Sequence, residues 1–428
     1  MSYTLGSLPS SQPPRPDMDV LVLGAGIIGV SVALHLQKRG KSVLLVDRRA
    51  PGEETSYGNA GLIERASVVP YGFPREIRTL LKYATNRSAD VRFRWTFLPK
   101  ILPWLARFWL ESSSRRLRRA ASDMLPLIER SVIEHTALMA EAGIEHRARR
   151  GGWMEAYRSE KAFTAAKQAA RALDEYGLRY DLLGPQELAA REPHLAGEFA
   201  GAVHWLDPAT VADPGGLVTD YAALFERRGG TVIRGNAAEL KQSGDGWSLV
   251  AGGRRIVARE AVVALGPWSD TVYKPLGYRI PLAVKRGYHV HIEPAGDAVL
   301  NHPIVDVERG YLLAPMTRGI RLTTGIEFAD RDDAASPVQI DQTEPHARAI
   351  FPLGRRVEQT PWMGARPCLP DMRPIIGPAP RHKGLWFAFG HNHHGLTLGP
   401  ATGRLLAEMM TGETPFADPA PFTMSRFG

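Results

Sequence analysis

The stretch MDVLVLGAGIIGVSVALHLQKRGKSVLLVD, residues 18–47, constrains the fold more than any other. Val20 to Leu23 is an apolar run of strand length. Gly24, Gly26 and Gly29 then form a G-x-G-x-x-G turn into an apolar helix that Gly40 ends. SVLLVD reads as a second buried strand finishing on an acid. These are the parts of a dinucleotide cradle. Gly24 makes the tight turn, Gly26 lets a pyrophosphate approach the backbone, Gly29 packs helix on strand, and the helix N-terminus faces the negative charge. Ile27, Ile28 and Arg48 are counted with the cofactor-binding residues. Asp47, 18 residues after Gly29, is placed for a ribose hydroxyl, which disfavours a 2′-phosphorylated cofactor. Arg48 and Arg49 soften that inference, and the motif leaves NAD and FAD undivided.

At 428 residues the chain is too long for one core, and two domains are expected. Its +8 charge invites nucleic acid, anionic lipid or an anionic small molecule. The basic residues are spread out except for RRLRR at 115–119, which reads as a solvated helix face. A single cysteine, Cys368, excludes an intrachain disulfide and points to a reducing compartment. Residues 1–17 lack the basic start and apolar run of a signal peptide and read as a disordered Pro/Ser leader. The 97–110 stretch, FLPKILPWLARFWL, reads first as a core helix and second as a peripheral membrane contact beside RRLRR. A further helix is expected over 122–143, capped by Ser122, with Leu125, Ile128, Val132 and Met139 on one face. DPGGLVTDYAALFERRGGTVIRG, 213–235, reads as a capped helix followed by a strand.

Three later stretches favour FAD. TSYGNAGLI, 55–63, is a Gly-rich loop contributing Ser56, Asn59, Ala60, Gly61 and Leu62. REAVVALGPWSD, 259–270, is a strand end carrying Gly266 and Trp268. GHNHHGLTLGPATGRLLAE, 390–408, is a turn at Gly395–Gly399 leading into a helix stopped by Gly412. Together they resemble the D-amino-acid oxidase/dehydrogenase superfamily of flavoenzymes. GARPCLPDMRPIIG, 364–377, is similar to that family's G-x-R-P-x-T-P-D-x-x-P-x-I-G signature, with Leu369 in place of Thr. RGYHVH (286–291) and ERGYLLAPM (308–316) look like the bacterial D-amino-acid dehydrogenases, and among them the enzymes that oxidise D-proline or cis-4-hydroxy-D-proline.

The resemblance implies an α/β chain: a discontinuous, glutathione-reductase-like FAD-binding Rossmann domain with an inserted α+β substrate domain on an antiparallel sheet. The FAD domain is expected over 18–90, 195–278 and 365–418, the substrate domain over 91–194 and 279–364, and a tail over 419–428. It also implies hydride transfer from Cα of a D-amino or D-imino acid to flavin N5, with a quinone or other non-oxygen acceptor. Cys368 does not match the attachment position of some relatives, so the FAD is expected to be non-covalent. Arg366 of G-x-R-P is the expected anchor of the substrate carboxylate, its guanidinium fork taking both oxygens. The alternative is an Arg366–Asp371 pair bracing the turn. Tyr288 and Tyr311 are expected to add a hydroxyl or roof the site. The expected setting is cytoplasmic, with a peripheral contact at the inner membrane face.

Three histidines in four positions raise a metal, a proton relay or a cofactor turn. His391 and His393 would share one face of an extended segment. No Cys, HxxxH or carboxylate accompanies them, so no metal is expected. In the flavin reading, Gly364, Gly390 and His391 shape the pocket. Gly395 and Gly399 permit close approach, and the Leu396 and Thr397 amides meet the flavin edge where charge develops. His393 or His394, with a pKa near neutrality, would take the substrate ammonium proton. Two rivals remain: a flavin oxidase of glycine, sarcosine or an L-amino acid using oxygen, and a tRNA-modifying flavoprotein. For the second no residues are left to build an RNA module, and no nucleic acid is expected.

Overall fold

A computed structural model describes residues 16–427, so the expected leader lies outside the described residues but for its last two. Two large sheets organise the chain. In the first, Thr231–Arg234, Val43–Asp47, Met18–Leu23 and Arg254–Val263 lie side by side and parallel. The far edge of Arg254–Val263 is shared. Its first half pairs antiparallel with Gly246–Ala251, and its last residues pair parallel with Leu385–Phe389, which carries Ile375–Pro378. Val20 to Leu23 are wholly buried, as a continuous apolar run requires in a sheet covered on both faces.

Helix Ile27–Gln37 lies on this sheet, and helix Gly395–Thr411 crosses it at glycine-limited distance. A Cβ on Gly403 would stand 2.6 Å from the Ser31 backbone, and one on Gly399 2.5 Å from the Ile27 side chain. Gly399 therefore serves helix packing, not the cofactor approach expected of it. The helix begins at Gly395, so the turn occupies the residues before it, and Gly412 ends it in the left-handed region as expected. Helix Pro214–Arg227 is capped by Asp213, whose carboxylate accepts from Gly216 N at 2.9 Å, and strand Thr231–Arg234 follows.

The second sheet is largely antiparallel. Its spine is Ala283–Pro294, flanked by Gly319–Thr324 and by Trp362–Cys368. Gly201–Trp205 belongs to it too, between Trp153–Tyr157 and Tyr180–Leu183. Two strands expected wholly or partly in the nucleotide-binding pieces thus sit in the other sheet. Partner choice follows hydrogen-bond register across distant segments, which a local apolar pattern does not carry.

Helix Leu98–Glu111 buries Ile101, Trp104 and Phe108 against Ala283, Phe328, Cys368 and Met372, as the core-helix reading expects, and leaves Leu102, Trp109 and Leu110 exposed. The next helix runs Ser114–Ala142, starting well before the expected Ser122 cap, so RRLRR lies in its first turns and Pro126 in its interior. Of the four expected core positions only Ile128 and Met139 are fully buried; Met124, Leu127 and Leu138 complete the face. Residues 419–427 of the expected tail are docked, with Phe422 and Met424 buried.

Because the helix crossing has no room for a side chain, Gly403→Val should destabilise the protein by about 1–3 kcal/mol. Thermal unfolding of variant and parent, both with cofactor, measures it.

Candidate active site

A cavity of about 880 Å³ runs from the dinucleotide turn to the second sheet. Gly24, Gly26, Ile27, Ile28, Asp47 and Arg48 line it at the turn, near Ser56, Gly266 and Trp268. Asn59, Ala60 and Leu62 follow. Gly364, Arg366, Tyr288 and Tyr311 come from the second sheet, and His391, His393, His394, Gly395, Leu396 and Thr397 from the C-terminal turn and helix. Gly29, Gly61 and Gly390 stand behind the wall. A Cβ on Gly29 would lie 1.7 Å from the Gly24 carbonyl oxygen, so Gly29 lets the helix close on the turn. Gly61 (φ +79°) would meet the Val211 carbonyl oxygen at 2.1 Å, and Gly390 (φ +82°) the Leu369 side chain at 2.5 Å.

At the turn, Asp47 accepts from the Ala25 amide at 2.6 Å and the Arg49 amide at 3.0 Å, fixing its carboxylate against the glycines. Ser56 Oγ accepts from the Ile27 amide at 3.0 Å, at the helix N-terminus. Arg48 and Arg49 both pair with Glu54, at 2.6 and 2.9 Å, and Arg48 also lies 4.2 Å over the Trp268 ring. The two arginines that a 2′-phosphate would need are therefore engaged. Further along, the amides of Gly395, Leu396 and Thr397 carry no hydrogen bond among the described residues. A glycine cradle, a helix N-terminus at each stretch of the cavity and this donor set fit a flavin dinucleotide.

Arg366 is the focal cation. It sits on strand Trp362–Cys368, and its guanidinium reaches over Gly287, where a Cβ would lie 2.5 Å from Nη1. It is half-buried, its Nη1 is enclosed without a partner, and burial lowers its pKa. The alternative Asp371 pair does not form: Asp371 is taken by Arg373 at 3.1 Å and Arg426 at 2.7 Å. Tyr288 is not available to a substrate. Its hydroxyl donates to Glu327 at 2.5 Å and accepts from Arg286 at 2.8 Å and the Ser336 amide at 2.9 Å. The Tyr311 hydroxyl is buried without a partner, and burial raises its pKa.

The histidine segment is a turn, with Asn392 at φ 55°, so the expected alternation of faces is not observed. Asn392 Oδ1 accepts from the Leu369 amide at 3.1 Å, fixing the turn where the signature's hydroxyl is missing. His391 Nε2 lies 2.9 Å from Thr402 Oγ1 and His394 Nε2 3.0 Å from Ser67 Oγ. His393 Nε2 has no partner. None titrates near neutrality, contrary to expectation: burial pushes His391 down to about 3 and His394 to about 4. His393 falls well below its usual value through burial, with His394, Arg366 and Lys285 adding to the effect.

Sequence reading missed several cavity residues. Lys285 is buried with its ammonium facing Phe108 and Trp104, at 4.5 and 5.0 Å from the ring centroids. The Tyr71 ring lies 4.9 Å from that of His393, tilted by 47°. Glu155 accepts from the Tyr157 hydroxyl and the Trp205 indole, and burial raises its pKa. Glu64, beside Thr397, accepts from the Ala66 amide at 3.0 Å, and burial pushes its pKa up to about 7. Each lies outside any motif, and only the alternation of strand Ala283–Pro294, opposite Arg366, carried a signal for Lys285.

Fold and cavity together define a flavin-dependent amino acid oxidoreductase. A family model described as FAD dependent oxidoreductase matches residues 19–409, and the chain belongs to that family. The D-amino-acid oxidase of Bradyrhizobium diazoefficiens is 31% identical over 95% of this chain and 98% of its own length. The D-amino acid dehydrogenase of Chromohalobacter salexigens is 31% identical over 96% and 100%. In fold, the chain is similar to glycine oxidase from Geobacillus kaustophilus, with a TM-score of 0.75 at 20% identity, covering 96% of this chain and 98% of that one.

Glu64 holds a proton in the folded protein that it has lost in the unfolded chain between pH 4.5 and about 7. Stability should therefore fall with rising pH across that window, by of order 3 kcal/mol, and level off above it. Denaturant unfolding at a series of pH values should show this fall in the parent and a flatter profile in Glu64→Gln.

Proposed function

We propose that the protein oxidises a D-amino or D-imino acid, such as D-proline or cis-4-hydroxy-D-proline, by removing hydride from Cα, and passes the electrons to a quinone or another non-oxygen acceptor. The observation that carries this reading is the unpartnered Arg366, its Nη1 enclosed, in a cavity continuous with the dinucleotide cradle. Bound FAD supplies the hydride acceptor. Arg366 holds the substrate carboxylate, and an anion there relieves its desolvation. His393 enters neutral, so its free Nε2 is open to a hydrogen bond from the substrate amine, while the nearby cations disfavour its keeping the proton. Buried Tyr311 lines the cavity and keeps water from that wall. The relatives named D-amino acid dehydrogenase support the D-configuration. The fold likeness to glycine oxidase keeps glycine as a rival substrate.

The acceptor reading draws on the surface around helices Ile77–Ala84 and Leu98–Glu111. Ile77, Leu81, Trp95, Leu102, Trp109 and Leu110 are exposed there, beside Arg75, Arg78, Lys82 and Lys100. Arg75 ties the two segments, donating to the Trp109 carbonyl at 2.8 Å. An apolar face with a cationic rim suits peripheral contact with anionic lipid. No helix among the described residues is long and apolar enough to cross a membrane.

Anaerobic mixing with D- and L-enantiomers of proline, hydroxyproline, alanine and leucine, and with glycine and sarcosine, tests the substrate. Bleaching of the flavin by D-imino acids, with slow recovery on an oxygen pulse, is the expected result; bleaching only by the others overturns it. Arg366→Met should lower kcat/KM roughly 100- to 1000-fold, the loss of a buried charge partner. Flotation with anionic vesicles should capture the protein, and Leu102→Glu with Trp109→Glu should release it.

A further inference from the structure

Resting on that reading of the cavity, we propose that Lys285 is a second cation of the carboxylate anchor, so that the substrate carboxylate is held between Lys285 and Arg366. The two residues stand directly opposite each other on adjacent antiparallel strands, so their side chains leave the sheet on one face. Like charges in that relation destabilise a sheet, and burial adds the cost of dehydration. Both line the same cavity, and neither has a carboxylate partner among the described residues. The acids closest to these strands are spent elsewhere: Glu327, across the sheet from Arg286, on Arg286, and Asp371 on Arg373 and Arg426.

The other groups facing Lys285 do not neutralise it. Cys368 lies two residues from Arg366 on the same strand, and burial raises its thiol pKa, keeping it uncharged. His393 is neutral and has a free Nε2. Trp104, Phe108 and Phe328 present their rings to the ammonium at 5.0, 4.5 and 5.9 Å from their centroids, which holds a charged amine in place without an anion of their own. Gly287, on the same face as Lys285 and next along it, leaves the space into which the Arg366 guanidinium leans. Two cations and a histidine nitrogen thus converge without a counter-ion, and a single carboxylate satisfies the Arg366 fork and the Lys285 charge together. Lys285 acts on binding and orientation, and no bond-making step passes through it.

The test uses the purified FAD-loaded protein and two probes of one shape, pyrrole-2-carboxylate and its neutral amide, titrated against the flavin absorption spectrum. Lys285→Met should weaken the carboxylate about 10- to 100-fold and leave the amide unchanged, as expected for loss of one charge-assisted contact. Lys285→Arg should recover most of the loss. Flavin content and thermal midpoint, measured on both variants, show that each is folded, and the apolar Met suits the aromatic surroundings. If Lys285→Met binds the carboxylate as the parent does, or loses both probes equally, Lys285 does not hold the carboxylate, while parent and Arg366→Met still report on the site itself. If the parent shows no preference for the carboxylate over the amide, the amino acid reading of the cavity falls as well.

Discussion

The close crossing of helix Gly395–Thr411 on helix Ile27–Gln37 is the contact on which the rest depends. The two helices are far apart in sequence, yet Gly399 and Gly403 bring one against Ile27 and Ser31 of the other with no room for a Cβ. That contact carries the 390–394 turn to the mouth of the dinucleotide cradle. It aims the free first-turn amides of the C-terminal helix into the cavity that the first helix opens onto. The cradle and the substrate wall are one site because these two helices touch.

Charge placement within that site follows one physical rule: a buried ion without a partner is costly, so each must be accounted for. Most are paired. Arg286 is locked to Glu327 and Tyr288, and Asp371 to Arg373 and Arg426. Arg366 and Lys285 stand apart from this pattern, facing open space beside a neutral histidine. The contrast supports reading them as ligand-binding groups: buried Arg286 is spent on a carboxylate and buried Arg321 on His291 and the Tyr57 and Asn59 carbonyls, whereas neither of these two has such a partner.

The same burial inverts the expected role of the histidines. A histidine in water is a proton acceptor near neutrality; within this cavity dehydration holds all three neutral, with the two cations adding to the effect at His393. They shape the turn and offer hydrogen-bond acceptors. Glu64 and Glu155 move the other way, toward the protonated form, for the same reason. Residue type gave the direction of each expectation, and burial, which sequence does not show, decided the outcome.

What the sequence determined by itself was local and periodic. The first β-α-β unit, its glycines, the acid at Asp47, the Asp213 cap and the Gly412 stop are each written within a few tens of residues, because a turn or a strand is specified by its neighbours. The expectation at Arg366 came from the motif around it. What tertiary structure alone decided was pairing between distant segments. It placed Gly201–Trp205 in the second sheet, turned the Tyr288 hydroxyl to Glu327, assigned Gly399 to helix packing and put Lys285 opposite Arg366. These outcomes rest on register, burial and the identity of the facing side chain, and such quantities exist only once the chain has closed on itself.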